Sequence, residues 1–546
     1  MNARITRKAF VIAALLLCVI AIKAHADTIT VINTNDSGPG SLRQALADAN
    51  DGDTIDFDQA LNGQTITVTS AELVIDKSIT ITGPGPDLLT VNTSGLQLIR
   101  IFHVMPGQTV TIDGLKIEGE TFLNCSGGIL NDDAALTVSN CAVEGNCSDY
   151  AGGGIYMNGG SLTILNSSIN NNRLLGGFGA NGGGISAGGT LTITDSEVNS
   201  NSATSKGEND FSTGGGISGG VMTITNSTIN GNYANYAGGG IAGGDGTITN
   251  STINGNMVTP FDGVGAAGGI FCEGPNTLTI TGCTVSGNTA ALGGAGIVNF
   301  GTLTIASSTL SNNSAIGGMM GSGTGGGIDN SGSLDVSNST LSGNFAAAQG
   351  GGVYNRNSGA ATLIVANSTL NGNSGVDGGA IYNAAMVSLV NTILDRGGAK
   401  VGANMFNSGG TVTSLGYNVS SDDGGDYLTG PGDQINTDPL LGPLQDNGGP
   451  TFTHELLPGS PAIDAGDPNF TPPPFYDQRG PGFNRVANSR IDVGSFEVQT
   501  TPTPTGTPTS TPTPTPTITP TPRPTPTPRP LPTPRMRPTP PQHTGR

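Results

Sequence analysis

The chemically most capable side chains of this sequence are gathered near its C-terminal end. They are His454, Asp464, Asp477, Arg479, Asp492 and Glu497. Imidazole and carboxylate groups at one place could form a small metal site or a sugar site. The same residue types also make turn hydrogen bonds and Asp–Arg pairs. We favour this second interpretation, in which the set clamps the end of the fold.

Catalytic groups are scarce in the rest of the chain. Glycoside hydrolases need two carboxylates facing each other across the sugar, and polysaccharide lyases need a cationic base beside acids that bind Ca²⁺. Between residues 120 and 394 the cationic residues are Arg173, Lys206 and Arg356. Asp195 and Glu197 are two residues apart in a predicted strand there, and Asp195 stands at a repeated position that is mostly Asn. His103 is the only histidine between residues 27 and 400. We therefore predict no catalytic residues.

A repeat of about 28 residues positions these side chains. A Gly-Gly-x-Ile block, a Leu-Thr-Ile block and an Asn-Ser-Thr-Ile-x-x-Asn block recur along Cys125–Leu394. Apolar positions five residues apart, with period-2 alternation, indicate short strands joined by a corner. Three such strands per repeat predict an all-β parallel β-helix, a solenoid in which each repeat forms one coil. Apolar residues at 42, 45, 46 and 49 have helical spacing and predict an N-terminal helical cap.

One asparagine ends each repeat, three residues after the last apolar position. The nine residues are Asn146, Asn172, Asn201, Asn232, Asn256, Asn288, Asn313, Asn344 and Asn373. Stacked coils lie about 4.8 Å apart, so each amide can bond the amides above and below it and satisfy the turn backbone. We predict that this column is structural.

Coil length varies at one turn, between this asparagine and the next Gly block. The insertions should project from one side of the stack as a ragged surface, which we call the loop shelf, and such insertions often form the binding face. Its candidate binding residues are Arg173, Phe178, Lys206, Glu208, Asp210, Phe211, Phe261 and Asp262. The alternative is that the apolar residues of these loops fold back over the adjacent sheet.

The chain divides into five segments. Residues 1–26 carry basic residues, an apolar run and Ala-His-Ala, which predicts a secretory signal peptide cleaved between Ala26 and Asp27. We expect no membrane span in the mature chain. Residues 27–119 should form the N-terminal cap and first irregular coils, 120–394 the regular repeats and 395–499 a C-terminal capping region. Residues 500–546 alternate Thr and Pro and predict a disordered tail.

The net charge of the mature chain restricts the classes of partner that it can bind. Segment 27–499 holds 40 acidic and 12 basic residues, a net charge of −28, which argues against nucleic acid and anionic lipid. Ca²⁺ is compatible with this charge, but no Ca²⁺ motif is present and we predict no cofactor.

Five cysteines remain after the signal, and an odd count argues against a disulfide framework. Cys141 and Cys283 replace a repeated Ser, and Cys272 replaces a repeated Asn. A Cys125–Cys147 disulfide is the alternative to free thiols at those two positions.

Motifs in the repeats and at both ends resemble known families. Gly-Gly-Gly-Ile followed by aliphatic-x-x-Asn resembles the repeats of polymorphic outer-membrane proteins, in which a Phe usually holds the aliphatic position. Asp36–Arg43, Asn447–Thr451, His454–Gly466, Asp477–Gly480 and Ile491–Glu497 look like bacterial right-handed β-helix proteins with a "choice-of-anchor" C-terminal region. This resemblance implies an exported, cell-surface or released protein of the pectin-lyase-like fold class. That fold hosts enzymes, adhesins and inert scaffolds.

Two functions remain from the sequence. We expect a noncatalytic, adhesin-like and monomeric scaffold that binds surfaces, cells or glycans, because Thr, Ser, Asn and Gly are the side chains that repeat. The alternative is a polysaccharide lyase or glycoside hydrolase of the same fold.

Overall fold

The chain forms a parallel β-helix of about 14 turns in a computed structural model. The structure describes residues 26–93, 99–119, 127–176, 181–205, 211–259, 265–318, 323–359 and 361–499. The predicted signal peptide and tail lie outside the described residues. The predicted all-β, right-handed parallel β-helix is confirmed. Parallel strands run from Thr28 to Ser420, and a last parallel bridge joins Val419 to Gln434, so coils extend on both sides of residues 120–394.

Most coils contribute two strands to one 26-stranded sheet, here called sheet I. Its strands are Thr28–Val31, Thr54–Phe57, Leu73–Ile75, Thr80–Thr82, Phe102–Val104, Thr109–Asp113, Ile129–Asn131, Ala135–Ser139, Ile155–Met157, Ser161–Leu165, Ile185–Thr194, Ile217–Thr225, Ile241–Ala242, Asp245–Thr249, Ile270–Cys272, Thr277–Thr281, Ile297–Asn299, Thr302–Ala306, Ile328–Asn330, Ser333–Ser337, Val353–Asn355, Thr362–Ala366, Ile381–Asn383, Met386–Val390, Met405–Asn407 and Thr411–Gly416.

The third predicted strand forms a 14-stranded sheet, sheet II. Its strands are Gln64–Val68, Leu89–Thr93, Lys116–Glu118, Ala142–Glu144, Ser168–Asn170, Glu197–Asn199, Thr228–Asn230, Thr252–Asn254, Thr284–Ser286, Thr309–Ser311, Thr340–Ser342, Thr369–Asn371, Ile393–Asp395 and Val419–Ser420. Between sheets I and II the backbone turns through one residue with positive φ, such as Asn226 at 50° and Asn250 at 49°. Asparagine tolerates this left-handed conformation better than most residues.

A short further strand follows the repeated asparagine in eight coils and forms sheet III, which the sequence did not predict. Its strands are Cys147–Ser148, Arg173–Gly176, Ser202–Ser205, Tyr233–Ala234, Met257–Val258, Thr289–Ala290, Ser314–Ala315 and Phe345–Ala346. The loop shelf therefore begins with paired backbone rather than with free loop.

Columns of buried aliphatic residues fill the interior. Ile229 pairs in register with Ile253, which pairs with Val285, and none of the three is exposed to solvent. The N-terminal end is covered by the predicted helix, Leu42–Asp48, whose N-cap Ser41 accepts a hydrogen bond from the Gln44 N–H. Its buried residues are Leu42, Ala45 and Leu46, and they join the core of the coils. Single-turn 3₁₀ helices lie at Gln59–Leu61 and Gly424–Asp426.

The nine repeated asparagines form one continuous ladder at the corner after sheet II. The Nδ2 atoms of the first eight each donate to Oδ1 of the next asparagine over 2.8–3.0 Å. That Oδ1 also accepts the backbone N–H of the preceding asparagine, and Nδ2 also donates to a backbone carbonyl, as Asn256 does to Ile229. All nine are at most 1% exposed. The ladder therefore satisfies buried polar groups that would otherwise destabilise each corner.

The cysteines occupy the places of other column residues. The Ser251 N–H points to Cys283 Sγ at 3.4 Å, where other coils use a serine hydroxyl. Cys272 lies in register with Asn299. Burial raises the pKa of both thiols to about 11. Cys147 is disulfide-bonded, so of the two alternatives left open at this position the free thiol is wrong. Cys125, the partner considered from the sequence, lies outside the described residues.

After Gln434 the chain leaves the coils and turns back along their side. An antiparallel pair, Leu441–Gln445 and Thr453–Leu456, leads into residues 451–499, which we call the strap. The strap lies on the outer face of sheet II, and its contacts reach from Ser307 to Asn391. It therefore covers several coils and not only the last one. Within the described part of the chain, no helix has both the length and the apolar character needed to cross a membrane.

Candidate functional site

The structure places five of the six polar residues near the C-terminus in one connected network within the strap. The Arg479 Nε donates to Asp477 Oδ2 at 3.0 Å, and the Arg479 guanidinium carbon lies 4.0 Å and 3.7 Å from the ring centroids of Phe483 and Phe496. Asp477 also accepts the backbone N–H of Glu497. This cation is stacked, paired and 5% exposed, so it holds the strap together rather than facing a ligand.

The carboxylates of this network also accept hydrogen bonds from the protein itself. Glu497 is completely buried, and its oxygens accept the N–H groups of Ala487 and Asp492. Burial, followed by the charge of Asp492, raises the pKa of Glu497 to about 8. Burial also raises the pKa of Asp492, which accepts the N–H of Asp464. These bonds agree with the turn-bond interpretation of the set.

His454 bonds none of the other five residues. Its Nδ1 lies 2.7 Å from the Gly442 carbonyl oxygen, which only accepts, so Nδ1 carries the proton. The Nε2 atom then accepts from the Ser342 hydroxyl at 2.9 Å and the Asn371 amide at 3.2 Å. Burial lowers the pKa of His454. The neutral ring thus fastens the strap to sheet II and has no nitrogen left for a metal.

Only Arg173 and Phe211 of the loop-shelf candidates lie in the described part of the chain. Arg173 is exposed at the start of its sheet III strand, and the neighbouring Leu174 is buried against Ala203. The Phe211 ring lies 4.5 Å from the Tyr236 ring in the next coil. The other candidates, Phe178, Lys206, Glu208, Asp210, Phe261 and Asp262, lie outside the described residues, so binding by the loop shelf stays a prediction.

Asp195 and Glu197 line a cleft of about 380 Å³ on the edge of sheet II. Asp195 has φ 49°, the left-handed turn conformation that Asn226 has in the next coil, and it accepts the Asn226 side-chain amide at 3.2 Å. Its acid is thus a substitution within a turn column, as predicted. Across the described ranges, no group of three or more His, Cys, Asp and Glu residues is placed to hold a metal ion.

A row of aromatic side chains on the outside of sheet I was not predicted. The aromatic row consists of Tyr354, Tyr382 and Phe406, which stand in register in three successive coils and are all partly exposed. Successive ring centroids lie 5.0 Å and 5.4 Å apart, with interplanar angles of 37° and 36°. The signal was available in the sequence, because these aromatics recur at the repeat distance, one residue after the Gly-block aliphatic.

A cation continues the aromatic row at one end. The Arg356 guanidinium lies 5.2 Å from the Tyr354 ring centroid and binds both carboxylate oxygens of Asp329. Asp329 is completely buried and also accepts the Thr324 hydroxyl. Against the lowering effect of burial, the hydrogen bonds with Asp329 raise the pKa of Arg356. The Arg356 side chain is 44% exposed, so a fixed positive charge reaches the surface beside the rings.

Comparison with known proteins gives only distant likenesses. No protein-family model and no curated protein matches the chain. A solved pectate lyase, Pel9A, shares 16% identity over 87% of this chain and 97% of its own, with a TM-score of 0.33. The catalytic domain of a GH87 α-1,3-glucanase in complex with nigerose shares 14% identity over 71% of this chain and 69% of its own, with a TM-score of 0.34. Tailspike protein 3 of bacteriophage CBA120 shares 12% identity over 68% of this chain and 57% of its own, with a TM-score of 0.33. These low values carry no argument about what this chain does.

Proposed function

We propose that this protein is an exported, cell-surface or released β-helix scaffold that binds glycans and performs no reaction on them. The aromatic row with Arg356 at its end carries the proposal. Sugar rings bind through apolar C–H faces and through hydroxyl groups, so a sugar site combines aromatic surface with fixed polar groups. The aromatic row offers the apolar surface, and Arg356 offers hydrogen-bond donors beside it.

The aromatic row is held in place before any ligand arrives. The residue after each ring is an inward asparagine, and these asparagines bond each other at 2.7 Å between Asn355 and Asn383 and at 2.8 Å between Asn383 and Asn407. Coils stack about 4.8 Å apart, so three rings span roughly 10 Å along the axis, enough for a sugar chain to lie along them. Preorganised contacts of this kind strengthen binding because little ordering remains to be done.

The arrangement beside the aromatic row favours binding over catalysis. The carboxylate that lies beside the row, Asp329, is buried and paired with Arg356, so it is not available as an acid or a nucleophile. A hydrolase would need two carboxylates facing the sugar, and a lyase would need a base free of such pairing. The lyase or hydrolase alternative is retained as an outcome of the experiment below.

Export and partner class complete the proposal. The signal-like residues 1–26, with cleavage between Ala26 and Asp27, would send the chain out of the cell, where a glycan is an accessible partner. We expect a monomer. The loop shelf, with Arg173 and Phe211, is the competing binding surface.

The experiment is glycan-array binding by the mature chain from Asp27, with reducing-sugar release measured in parallel. We expect binding without release, and we expect Tyr382→Ala to weaken it about tenfold, because the central ring of the row is lost. Phe211→Ala is the matched control, since it removes an aromatic ring from the loop shelf. Loss of binding in Phe211→Ala but not in Tyr382→Ala would assign binding to the shelf. Sugar release would establish the enzyme alternative.

A further inference from the structure

The first residue of the expected mature chain is bonded to a buried carboxylate. The backbone nitrogen of Asp27 donates to Asp53 Oδ1 over 2.8 Å. Asp53 is 2% exposed, whereas Asp27 lies at the surface. In the uncleaved chain this donor is the N–H of the Ala26–Asp27 peptide, which is the bond at which we predict removal of the signal peptide. The fold therefore holds an acceptor directly at the predicted cleavage point.

The Asp53 carboxylate is positioned by the segment that follows the cap helix, Leu42–Asp48. Its Oδ2 accepts the backbone N–H of Asn50 over 2.8 Å, one residue after the end of that helix at Ala49. The backbone carbonyl of Asp53 accepts the Thr80 N–H of the next coil over 3.0 Å. The cap helix and the coil behind it thus both fix the place at which the carboxylate meets the Asp27 nitrogen.

The backbone of Asp27 also begins the pairing of the first coil. Its carbonyl oxygen accepts the Thr54 N–H over 2.8 Å, and the parallel pairing of Thr28–Val31 with Thr54–Phe57 continues from there. Asp27 is therefore held at its nitrogen by a side chain and at its carbonyl by a strand. Removal of residues 1–26 takes away neither of these two bonds.

Cleavage changes the chemical nature of the donor. Hydrolysis of the Ala26–Asp27 peptide leaves the oxygen of the attacking water on Ala26 as part of a carboxylate, and both protons of that water pass to the Asp27 nitrogen. An α-amino group has an ordinary pKa of about 8, so at pH 7 this nitrogen is mostly an ammonium group. A neutral donor with one N–H becomes a cation with three. Its attraction to a carboxylate that is shielded from water is stronger than that of the amide.

We propose that Asp53 is the binding site of the α-ammonium group that removal of the signal peptide creates, so that processing itself completes the N-terminal cap. The inference rests on the export and the cleavage point of the proposed function. While the signal is attached, the cap helix and the first strand share a neutral donor; after cleavage they share an ion pair. The N-terminal end is consequently easier to unfold before export than after it.

The experiment compares three forms of the chain, each ending at residue 546. The first begins at Asp27 with a free α-amino group and is released from a fusion by a protease that cleaves immediately before this residue. The second carries Ala-His-Ala, residues 24–26, in front of Asp27, and the third is acetylated at the Asp27 nitrogen. We expect amide hydrogen exchange in Thr28–Val31 and Leu42–Asp48 to be about tenfold faster in the second and third forms, because both lack the cation. Exchange in the distant strand Thr228–Asn230 should be equal in all three.

Substitutions assign the effect to Asp53. Asp53→Asn keeps a side-chain oxygen and removes the charge, so the three forms should then exchange alike. Asp51→Asn is the matched control, since it neutralises an exposed carboxylate of the same loop, one that accepts the Ser78 N–H, and the tenfold difference should remain. The α-amino group should also react faster with an acylating reagent in Asp53→Asn than in Asp51→Asn.

The three unsubstituted forms test the proposal even if Asp53→Asn does not fold. Equal exchange in all three, or a difference that persists in Asp53→Asn, would overturn it. Mass spectrometry of the exported protein tests its premise, and a chain that begins at another residue would also overturn it. Glycan-array binding is measured separately on the form that begins at Asp27, so failure of the glycan-binding function is distinguishable from failure of this site.

Discussion

Sheet II presents one sequence pattern in two environments. Six successive strands of its 14 show this. We call Thr228–Asn230, Thr252–Asn254 and Thr284–Ser286 the open half of this group, and Thr309–Ser311, Thr340–Ser342 and Thr369–Asn371 its covered half. The two halves are continuous, since Thr284 pairs in register with Thr309. The outward threonines of the open half are partly exposed, whereas those of the covered half lie under the strap and are at most 1% exposed.

The difference lies in the strap, because the sheet is the same. Gln478 bridges two coils, donating to the Thr309 hydroxyl at 2.8 Å and accepting from the Thr340 hydroxyl. Ser495 donates its N–H to the Thr369 hydroxyl at 3.1 Å. In the open half, water can form hydrogen bonds with the threonine hydroxyls. In the covered half, groups of the strap form those hydrogen bonds instead. The repeated hydroxyls can therefore bond either water or a covering segment. Which coils are covered depends on the strap, through its own polar groups and its point of attachment after the last coil.

The largest effect should come from the charges inside the strap. Asp477→Ala leaves the Arg479 cation buried without its carboxylate, which should destabilise the strap by roughly 3–5 kcal/mol. Amide hydrogen exchange should then accelerate across residues 451–499 and the covered half, and stay unchanged in the open half. Glu197→Ala, which removes an exposed carboxylate from sheet II beside the open half, is the control and should stay within about 0.5 kcal/mol. Unchanged exchange of the strap in Asp477→Ala would contradict this account.

A pH dependence should follow from Glu497. Its pKa is raised from the ordinary 4.5 to about 8, so between these values the folded strap holds a proton that the unfolded chain releases. Stability is then highest at low pH and falls as the pH rises towards 8, by on the order of 1.4 kcal/mol per pH unit. Exchange rates corrected for their intrinsic pH dependence should show the strap loosening between pH 6 and pH 8, while the open half stays constant. A strap that tightens over this range would show the sign to be wrong.

A paired substitution compares the two halves directly. Thr340→Val in the covered half leaves Gln478 and Ser495 without their partner and should cost about 1–2 kcal/mol. Thr252→Val in the open half exchanges a hydroxyl that water can satisfy for a methyl group, and it should stay within about 0.5 kcal/mol. Thermal melts of both variants test the difference. Equal costs would mean that the strap contacts contribute nothing at Thr340.

The smallest effect should come from a cysteine at the boundary of the two halves. Cys283 occupies a serine position, with its N–H donating to the Ser308 hydroxyl at 3.0 Å. Cys283→Ser restores the residue that the column uses elsewhere, so we expect a change below about 1 kcal/mol in the free energy of unfolding. A larger loss in denaturant titrations would mean that the thiol has a role beyond replacing the hydroxyl.

The periodic part of the fold was predictable because each coil packs against similar coils on both sides, so the same residue types recur at a constant spacing. Ile253, for example, pairs with Ile229 and Val285, and this recurrence indicates both the strand and its register. The same constancy placed the asparagine ladder and identified Asp195 as a member of a turn column. Sheet III was not predicted because all eight of its strands are only two to four residues long and their sequences differ from coil to coil, as Thr289–Ala290 and Arg173–Gly176 do.

The aperiodic part was not predictable in the same way. The strap meets sheet II through single polar pairs such as Gln478 with Thr340, which lie 138 residues apart and leave no repeated spacing. Glu72 and His103 are one irregular coil apart, in a region where the repeat is weak. His103 is the only histidine between residues 27 and 400, and its carboxylate partner becomes visible only in the fold. Long-range contacts between single residues need the path of the chain, which composition and period do not supply.

The strap also limits how this chain can lengthen during evolution. Duplication of one coil, about 28 codons, within the open half would add one rung to the asparagine ladder and change no strap contact. The same duplication between Thr309 and Thr340 would separate the two threonines that Gln478 spans by a further coil, about 4.8 Å, which one side chain cannot bridge. Genes of longer and shorter relatives should therefore differ in coil number before Ser307, while the coils under the strap keep a fixed number.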